Sequence, residues 1–186
     1  MELTDLHLLS ASEVARLIRD GMTSSEELVE ACLARVREVD PQVQAWTFLD
    51  EDYALTQARA LDELRLSGRA IGPLHGVPIG VKDIFDTADM PTECGSVLYA
   101  GRTPSRDATA VSRLRAAGAV IMGKTVTTEF AYFSPGKTRN PHNPGHTPGG
   151  SSSGSAAAVA ANMVPLALGS QTNGSTNRPA GDCCVI

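Results

Sequence analysis

Polar capping residues placed before periodic apolar positions predict the first helices of the chain. Ser10 and Glu13 precede a short apolar run that a glycine ends, which is typical of a helix that starts with a capping box. Thr23 and Glu26 repeat this pattern before a longer amphipathic run, which is predicted to end near Pro41. The chain is therefore predicted to begin with two helices.

Beyond these helices, short apolar runs alternate with further helical periods. Strands are predicted at residues 43–49, 77–81, 118–124 and 164–168. Helices are predicted at residues 52–66, 107–117 and 156–163. This alternation favours an α/β sheet, and the sequence contains no internal repeat.

Composition restricts the functional classes that the chain can belong to. Its 186 residues are 42% hydrophobic and 20% charged, which is ordinary for one globular domain. The net charge of -5 gives no basic footprint for nucleic acid, and neither a secretory leader nor a membrane-spanning run is recognisable. The four cysteines follow no disulfide or zinc spacing, so we expect a cytoplasmic protein without a metal site.

The first of two polar loops with candidate chemistry is the run PGGSSSGSAAAVAA. It sets three serines before a predicted helix, where hydroxyl and backbone N–H groups suit an oxyanion. The surrounding loop, residues 134–155, is long enough to indicate a function. A flexible glycine-serine linker is the alternative interpretation, whereas a phosphate-binding loop would need a Gly-Lys-Ser/Thr ending.

The second polar loop, GSQTNGSTNRPAG, follows an apolar strand. Gly174 next to Ser175 allows a sharp turn that exposes the serine hydroxyl. An ordinary turn is the alternative, because Asn-Gly and Ser-Thr-Asn clusters are common in turns. If Ser175 is a nucleophile, it needs a base.

Lys82 is the candidate base that the sequence favours over the four histidines. The histidines lie near the N-terminus or in proline-rich loops, where structural roles in turns are common. Lys82 ends an apolar strand in PIGVKDI, where a charged side chain is usually paired or functional. Burial lowers the pKa of a lysine and lets its neutral amine accept a proton. The alternative is a salt bridge with Asp83 or another carboxylate.

Four segments in one order resemble the amidase-signature enzymes. They are GPLHGVPIGVKDIFDT, GKTVTTEFA, RNPHNPGHTPGGSSSGSAAAVAA and ALGSQTNGSTNRPA. The resemblance covers about residues 10–186 and is strongest at 72–179. Within it, Lys82 matches the family's catalytic lysine, Ser151 its bridging serine and Ser175 its nucleophile.

The resemblance implies an amidohydrolase that forms an acyl-enzyme. The serine matching Ser175 attacks an amide carbonyl, and its proton passes through Ser151 to neutral Lys82. A cis peptide bond is expected between Ser151 and the residue after it. The backbone N–H groups expected to form the oxyanion hole belong to Thr172, Asn173, Gly174 and Ser175. No metal or organic cofactor is implied.

Arg178 is a candidate substrate-binding residue. It matches a position in malonamidase-like amidases that can pair with a substrate carboxylate, although an ion pair within the protein is the alternative. We therefore expect a small-molecule amide as substrate, which could carry a carboxylate. Nucleic acid and membrane partners are not expected, and the chain could form a homodimer.

The resemblance also implies the architecture, a mixed β-sheet flanked by helices. We expect one amidase domain over residues 1–186 that is incomplete at its C-terminus, because members of the family continue well beyond this length. A helical region at about 10–67 would precede the signature core at about 72–186.

Two departures from the family pattern leave other hypotheses open. Asn173 stands where the family usually has glycine, although asparagine tolerates positive φ. The ending GDCCVI brings Asp182, Cys183 and Cys184 into a region expected to be buried. One alternative is the amide-transferring component of an amidotransferase that acts on misacylated tRNA with partner proteins, against which Arg178 counts mildly. The other is an inactive truncated product, or a chain that only binds.

Overall fold

Residues 3–186, which the computed structural model describes, form six α-helices and four β-strands after a 3-10 helix at Leu3–Leu8. The helices are α1 (Ala11–Arg19), α2 (Ser25–Val43), α3 (Glu51–Leu66), α4 (Thr109–Ala116), α5 (Ser153–Ala160) and α6 (Asn177–Asp182). The strands are β1 (Trp46–Leu49), β2 (Pro78–Lys82), β3 (Val120–Thr125) and β4 (Leu166–Leu168). None of the helices in this part of the chain is both long and apolar enough to cross a membrane.

Capping boxes start the first two helices. Ser10 and Glu13 form the box of α1 as predicted. In α2 the box is formed by Ser24 and Glu27, one residue later than the sequence predicted. Thr23 lies outside the helix, and its hydroxyl donates to the same Glu27 carboxylate at 2.8 Å. The first hydroxyl of a Thr-Ser-Ser run therefore supports the cap without forming it.

Two predicted helix boundaries were wrong. Helix α2 continues two residues beyond Pro41, and Gln44 ends it in the left-handed conformation with a hydrogen bond from its N–H to Asp40 O. Helix α5 begins at Ser153, because the hydroxyl of Ser153 and the N–H of Gly154 both donate to Val126 O. The short helix α6 was not predicted.

The four strands form one mixed sheet in the order β1-β3-β2-β4. Strand β1 runs antiparallel to β3, whereas β2 lies between β3 and β4 and is parallel to both. All five residues of β2 are buried. The prediction of an α/β fold with a mixed sheet is confirmed. The order places the carboxyl ends of β2, β3 and β4 at one edge.

Helices cover both faces of the sheet, and each face has its own apolar core. The larger core joins α1, α2, α3 and α5 to one face, through residues such as Val120 and Met122 of β3. The smaller core joins α4 to the opposite face, through Ile79, Val81 and Ile121. We call these the α5 face and the α4 face.

A β-bulge interrupts the pairing of β2 with β3. Ile79 pairs with Ile121, but the next residue, Gly80, pairs with Gly123. Met122 is therefore the extra residue, and the alternation of side chains along β3 shifts by one position after it.

Gly154 is a position where we expect any side chain to destabilise the fold. A Cβ there would overlap the carbonyl oxygen of Ala45 and the backbone nitrogen of Val126. Because these are backbone atoms of buried segments, we expect Gly154→Ala to lower the free energy of unfolding by about 2–3 kcal/mol despite the better helix propensity of alanine. Thermal unfolding measures this change. The matched control is Gly181→Ala in α6, where a Cβ meets no atom within 4 Å and the expected change is small.

Candidate active site

Lys82, the last residue of β2, is fully buried on the α5 face. Its Nζ lies 2.7 Å from the Oγ of Ser151 and 2.8 Å from the Oγ of Ser170. Two hydroxyl groups thus meet the amine at the carboxyl edge of the sheet.

Burial lowers the pKa of Lys82 to about 8 because the charged amine loses its hydration. Within residues 3–186, Lys82 forms no salt bridge. The neighbouring carboxylate, Asp83, is instead 3.1 Å from Lys124 Nζ. The salt bridge between Lys82 and Asp83 that the sequence left open is therefore not formed, and a substantial part of the amine is neutral near pH 8.

Ser151 lies in the loop before α5 and is 2% exposed. Its carbonyl oxygen accepts a hydrogen bond from Thr128 N at 3.1 Å, which fixes the loop beside the segment after β3. The cis peptide bond joins Gly150 to Ser151. The expectation of a cis bond after Ser151 was therefore wrong by one residue.

Ser175 lies in the turn after β4 and is partly exposed. Its carbonyl oxygen accepts from Ser152 N at 3.1 Å, so this turn lies directly beside the serine loop. Within the described part of the chain, the Ser175 hydroxyl makes no hydrogen bond. The structure therefore joins Lys82 to Ser151 and brings the backbone of Ser175 next to them, but it does not join the Ser175 hydroxyl to either side chain.

The four backbone N–H groups predicted for the oxyanion hole are free of hydrogen bonds within residues 3–186. Gln171 Oε1 takes the next two N–H groups, those of Thr176 and Asn177. The turn needs positive φ at Gly174, where φ is +82°. Asn173 does not adopt positive φ, so replacing the family's glycine there causes no left-handed strain.

The guanidinium of Arg178 donates to the carbonyl oxygen of Gly150, at 2.9 Å from Nη2 and 3.3 Å from Nε. This bond ties the nucleophile turn to the residue before Ser151. Arg178 also lines a cavity of about 210 Å³, together with Tyr132, Phe133 and Asp182. The exposed Arg178 side chain thus has a carbonyl partner and an open cavity beside it.

Ser170 is the site residue that the sequence analysis missed. Besides its contact with Lys82, its backbone exchanges hydrogen bonds with Ser152, whose Oγ donates to Ser170 O at 3.2 Å and accepts from Ser170 N at 3.3 Å. Its position two residues after β4 was the available signal, because parallel strands β2 and β4 end at the same edge.

The expectation of a buried ending was wrong for two of its three residues. Cys183 is buried, whereas Asp182 and Cys184 are exposed. The Asp182 carboxylate therefore carries no burial cost. The carbonyl oxygens of Asp182 and Cys183 contact Asn140 Nδ2 at 2.8 Å and His142 Nε2 at 2.9 Å.

Comparison with known proteins identifies the family. The model of the Amidase family matches residues 27–186. The chain belongs to the Amidase family. This confirms the resemblance drawn from the four sequence segments.

The relatives within and around the Amidase family include both transferases and hydrolases by name. The glutamyl-tRNA(Gln) amidotransferase A chain of Thermobifida fusca (strain YX) is 47% identical over 99% of this chain and 38% of its own length. The peptide amidase of Stenotrophomonas maltophilia superposes with a TM-score of 0.86 at 40% identity, over 92% of this chain and 38% of its own. A fatty acid amide hydrolase has a TM-score of 0.89 at 32% identity, over 96% and 33%. The chain thus spans less than half the length of these relatives.

Proposed function

We propose that this chain carries the catalytic groups of an amidohydrolase that cleaves a carboxylic amide C–N bond through an acyl-enzyme on Ser175. The observation that carries the proposal is the 2.7 Å contact between the buried Lys82 amine and the Ser151 hydroxyl. A lysine without a counter-ion that contacts a serine hydroxyl can act as a base toward it. Membership of the Amidase family supports the same chemistry.

In the proposed reaction, Ser175 Oγ attacks the amide carbonyl while its proton moves to Ser151 Oγ. The Ser151 proton moves in turn to neutral Lys82. When the C–N bond breaks, the proton returns by the same path to the leaving amine, and water then hydrolyses the ester. The path needs a hydrogen bond between the two serine hydroxyls, which a rotation about χ1 of Ser175 can form when substrate binds. The backbone contact between Ser152 and Ser175 supports this geometry.

The surrounding groups have complementary roles in the proposal. The free N–H groups of residues 172–175 stabilise the tetrahedral oxyanion, each contributing about 3 kcal/mol. Ser170 holds the Lys82 amine toward Ser151 through its 2.8 Å contact. Arg178, beside the 210 Å³ cavity, binds a carboxylate on the substrate. We propose a small-molecule amide as substrate, without a metal or organic cofactor. The proposed compartment is the cytoplasm, where the four free thiols would stay reduced.

A second candidate function is amide transfer, in which the chain would work with the other components of an amidotransferase. It is favoured by the 47% identity to the glutamyl-tRNA(Gln) amidotransferase chain of Thermobifida fusca. Both candidates share the acyl-enzyme and differ in what receives the amine. Release of ammonia from glutamine that appears only with added partner proteins would favour transfer, whereas hydrolysis of simple amides by the full chain alone would favour the amidase.

The proposal predicts how labelling by a fluorophosphonate depends on pH. We expect the probe to modify Ser175, with a rate that rises with pH and has its midpoint near pH 8. The sign follows from the base: Lys82 accepts a proton only when neutral, and its pKa is lowered to about 8. Mass spectrometry of the labelled peptide and the rate at each pH measure both results. Modification of another serine, or a rate without this midpoint, would contradict the proposal.

A further inference from the structure

A second buried lysine lies at the carboxyl edge of the sheet. Lys124 of β3 is fully buried, and its Nζ lies 3.1 Å from Asp83 Oδ1. It also donates to Thr92 Oγ1 at 2.6 Å and to Pro91 O at 3.1 Å. Burial lowers the pKa of Lys124, and the Asp83 carboxylate opposes that shift. Unlike Lys82, this lysine has a buried counter-ion.

The two lysines extend to opposite faces of the sheet. Lys82 lies on the α5 face, where it contacts Ser151. Lys124 pairs in register with Val81, which belongs to the core on the α4 face. Without the bulge at Met122, Lys124 would share the orientation of Val120 and Met122, which point to the α5 face. The bulge therefore turns Lys124 away from Lys82.

The two faces differ in the polar groups that they present at this edge. On the α5 face, hydroxyl groups without charge surround Lys82 or line the next layer. They belong to Ser151, Ser152, Ser155, Ser170 and Thr125. On the α4 face, the groups around Asp83 and Lys124 include the Cys94 thiol and an ion pair of Asp86 with Arg102, 2.8 Å apart. The charges at this edge are thus collected on the face away from the base.

Asp83 is the carboxylate that directly follows Lys82 in the chain. Its backbone N–H donates to Thr125 O, and Glu93 N donates to its Oδ2 at 3.1 Å. Its Oδ1 is buried and, within residues 3–186, receives no aligned hydrogen bond, although Lys124 Nζ is close. The position of this charge thus depends on Lys124 and on one backbone donor.

We infer that Lys124 is a positioning residue for the proposed reaction: it holds and balances the Asp83 carboxylate on the α4 face, and so leaves the Lys82 amine without a counter-ion. This inference rests on the proposed function, in which Lys82 is the base. Lys124 itself does not contact the reacting atoms.

Two substitutions in the full chain should shift the pH dependence of Ser175 labelling in opposite directions. Lys124→Met removes a nearby positive charge and releases Asp83, so we expect the midpoint to rise by about half a pH unit or more. Asp83→Asn removes the negative charge and leaves Lys124 unbalanced, so we expect the midpoint to fall by about the same amount. A merely structural role would lower the labelling rate without moving the midpoint in two directions.

The double variant Lys124→Met with Asp83→Asn removes both charges and should return the midpoint close to that of the unmodified protein. Circular dichroism shows which variants are folded; Asp83→Asn keeps the shape of the side chain and decides the question if Lys124→Met does not fold. Arg59→Met is the control, because it removes a surface ion pair of Arg59 with Glu26 and should leave the midpoint unchanged.

Midpoints that stay unchanged in the folded single variants, or that move in the same direction, would overturn the inference. Failure of the proposed function has a different signature. In that case the unmodified protein would not be labelled at Ser175, or its pH midpoint would persist after Lys82→Ala.

Discussion

Replacing Ser175 by alanine is expected to lower kcat by at least about 10³-fold and to abolish fluorophosphonate labelling. The reason is that the acyl-enzyme forms on this hydroxyl, and no neighbouring group can take its place without moving the turn. Because the side chain is partly exposed and forms no hydrogen bond in the described chain, we expect almost no change in thermal stability. Steady-state kinetics, labelling and thermal unfolding measure these three effects.

The control for this substitution is Ser112→Ala, on the exposed surface of α4. It should keep both activity and labelling. Labelling that persists at full rate in the Ser175→Ala protein would show that the nucleophile is a different residue. That result would leave the family membership intact and remove the proposed mechanism.

Replacing Lys82 by alanine is expected to lower kcat/KM by about 10³-fold, which is within the range for loss of a positioned base. The rise in rate with its midpoint near pH 8 should also disappear, because the group whose pKa burial lowers to about 8 is gone. The loss of the midpoint separates a chemical role from a general effect on folding. pH profiles of kcat/KM for the two proteins provide the measurement.

Lys137→Ala is the matched control, since Lys137 is exposed. Its profile should superpose on that of the unmodified protein. If the Lys82→Ala protein keeps the same midpoint at reduced rate, another group sets the pH dependence and Lys82 is not the base.

The local parts of the fold could be predicted from the sequence, because they depend on neighbouring residues. The cap of α1, the buried strand that ends at Lys82 and the turn at Gly174 follow from capping, periodicity and glycine. The errors lie where contacts from distant segments decide the outcome. Helix α5 starts early because Val126, distant in sequence, accepts bonds from its first turn.

The same distinction applies to the candidate site. Lys82, Ser151 and Ser175 were recognised because their segments resemble a family. Ser170 was missed because its role depends on the order of the strands, which places β4 beside β2. Lys124 was missed because strict alternation does not reveal the bulge at Met122. Sheet register and order are properties of the assembled fold, and periodicity along one segment cannot give them.

The central position of β2 links the chemistry to the order in which the chain is made. Both neighbours of β2 come later in the sequence, and the hydroxyls of Ser151 and Ser170 come later than β3. While the ribosome synthesises those segments, the Lys82 amine is in contact with water and keeps the proton of an ordinary lysine. It becomes a base only when β4 and α5 close over it. The nascent chain therefore acquires its reactivity at a late step of folding, after most of its core has been translated.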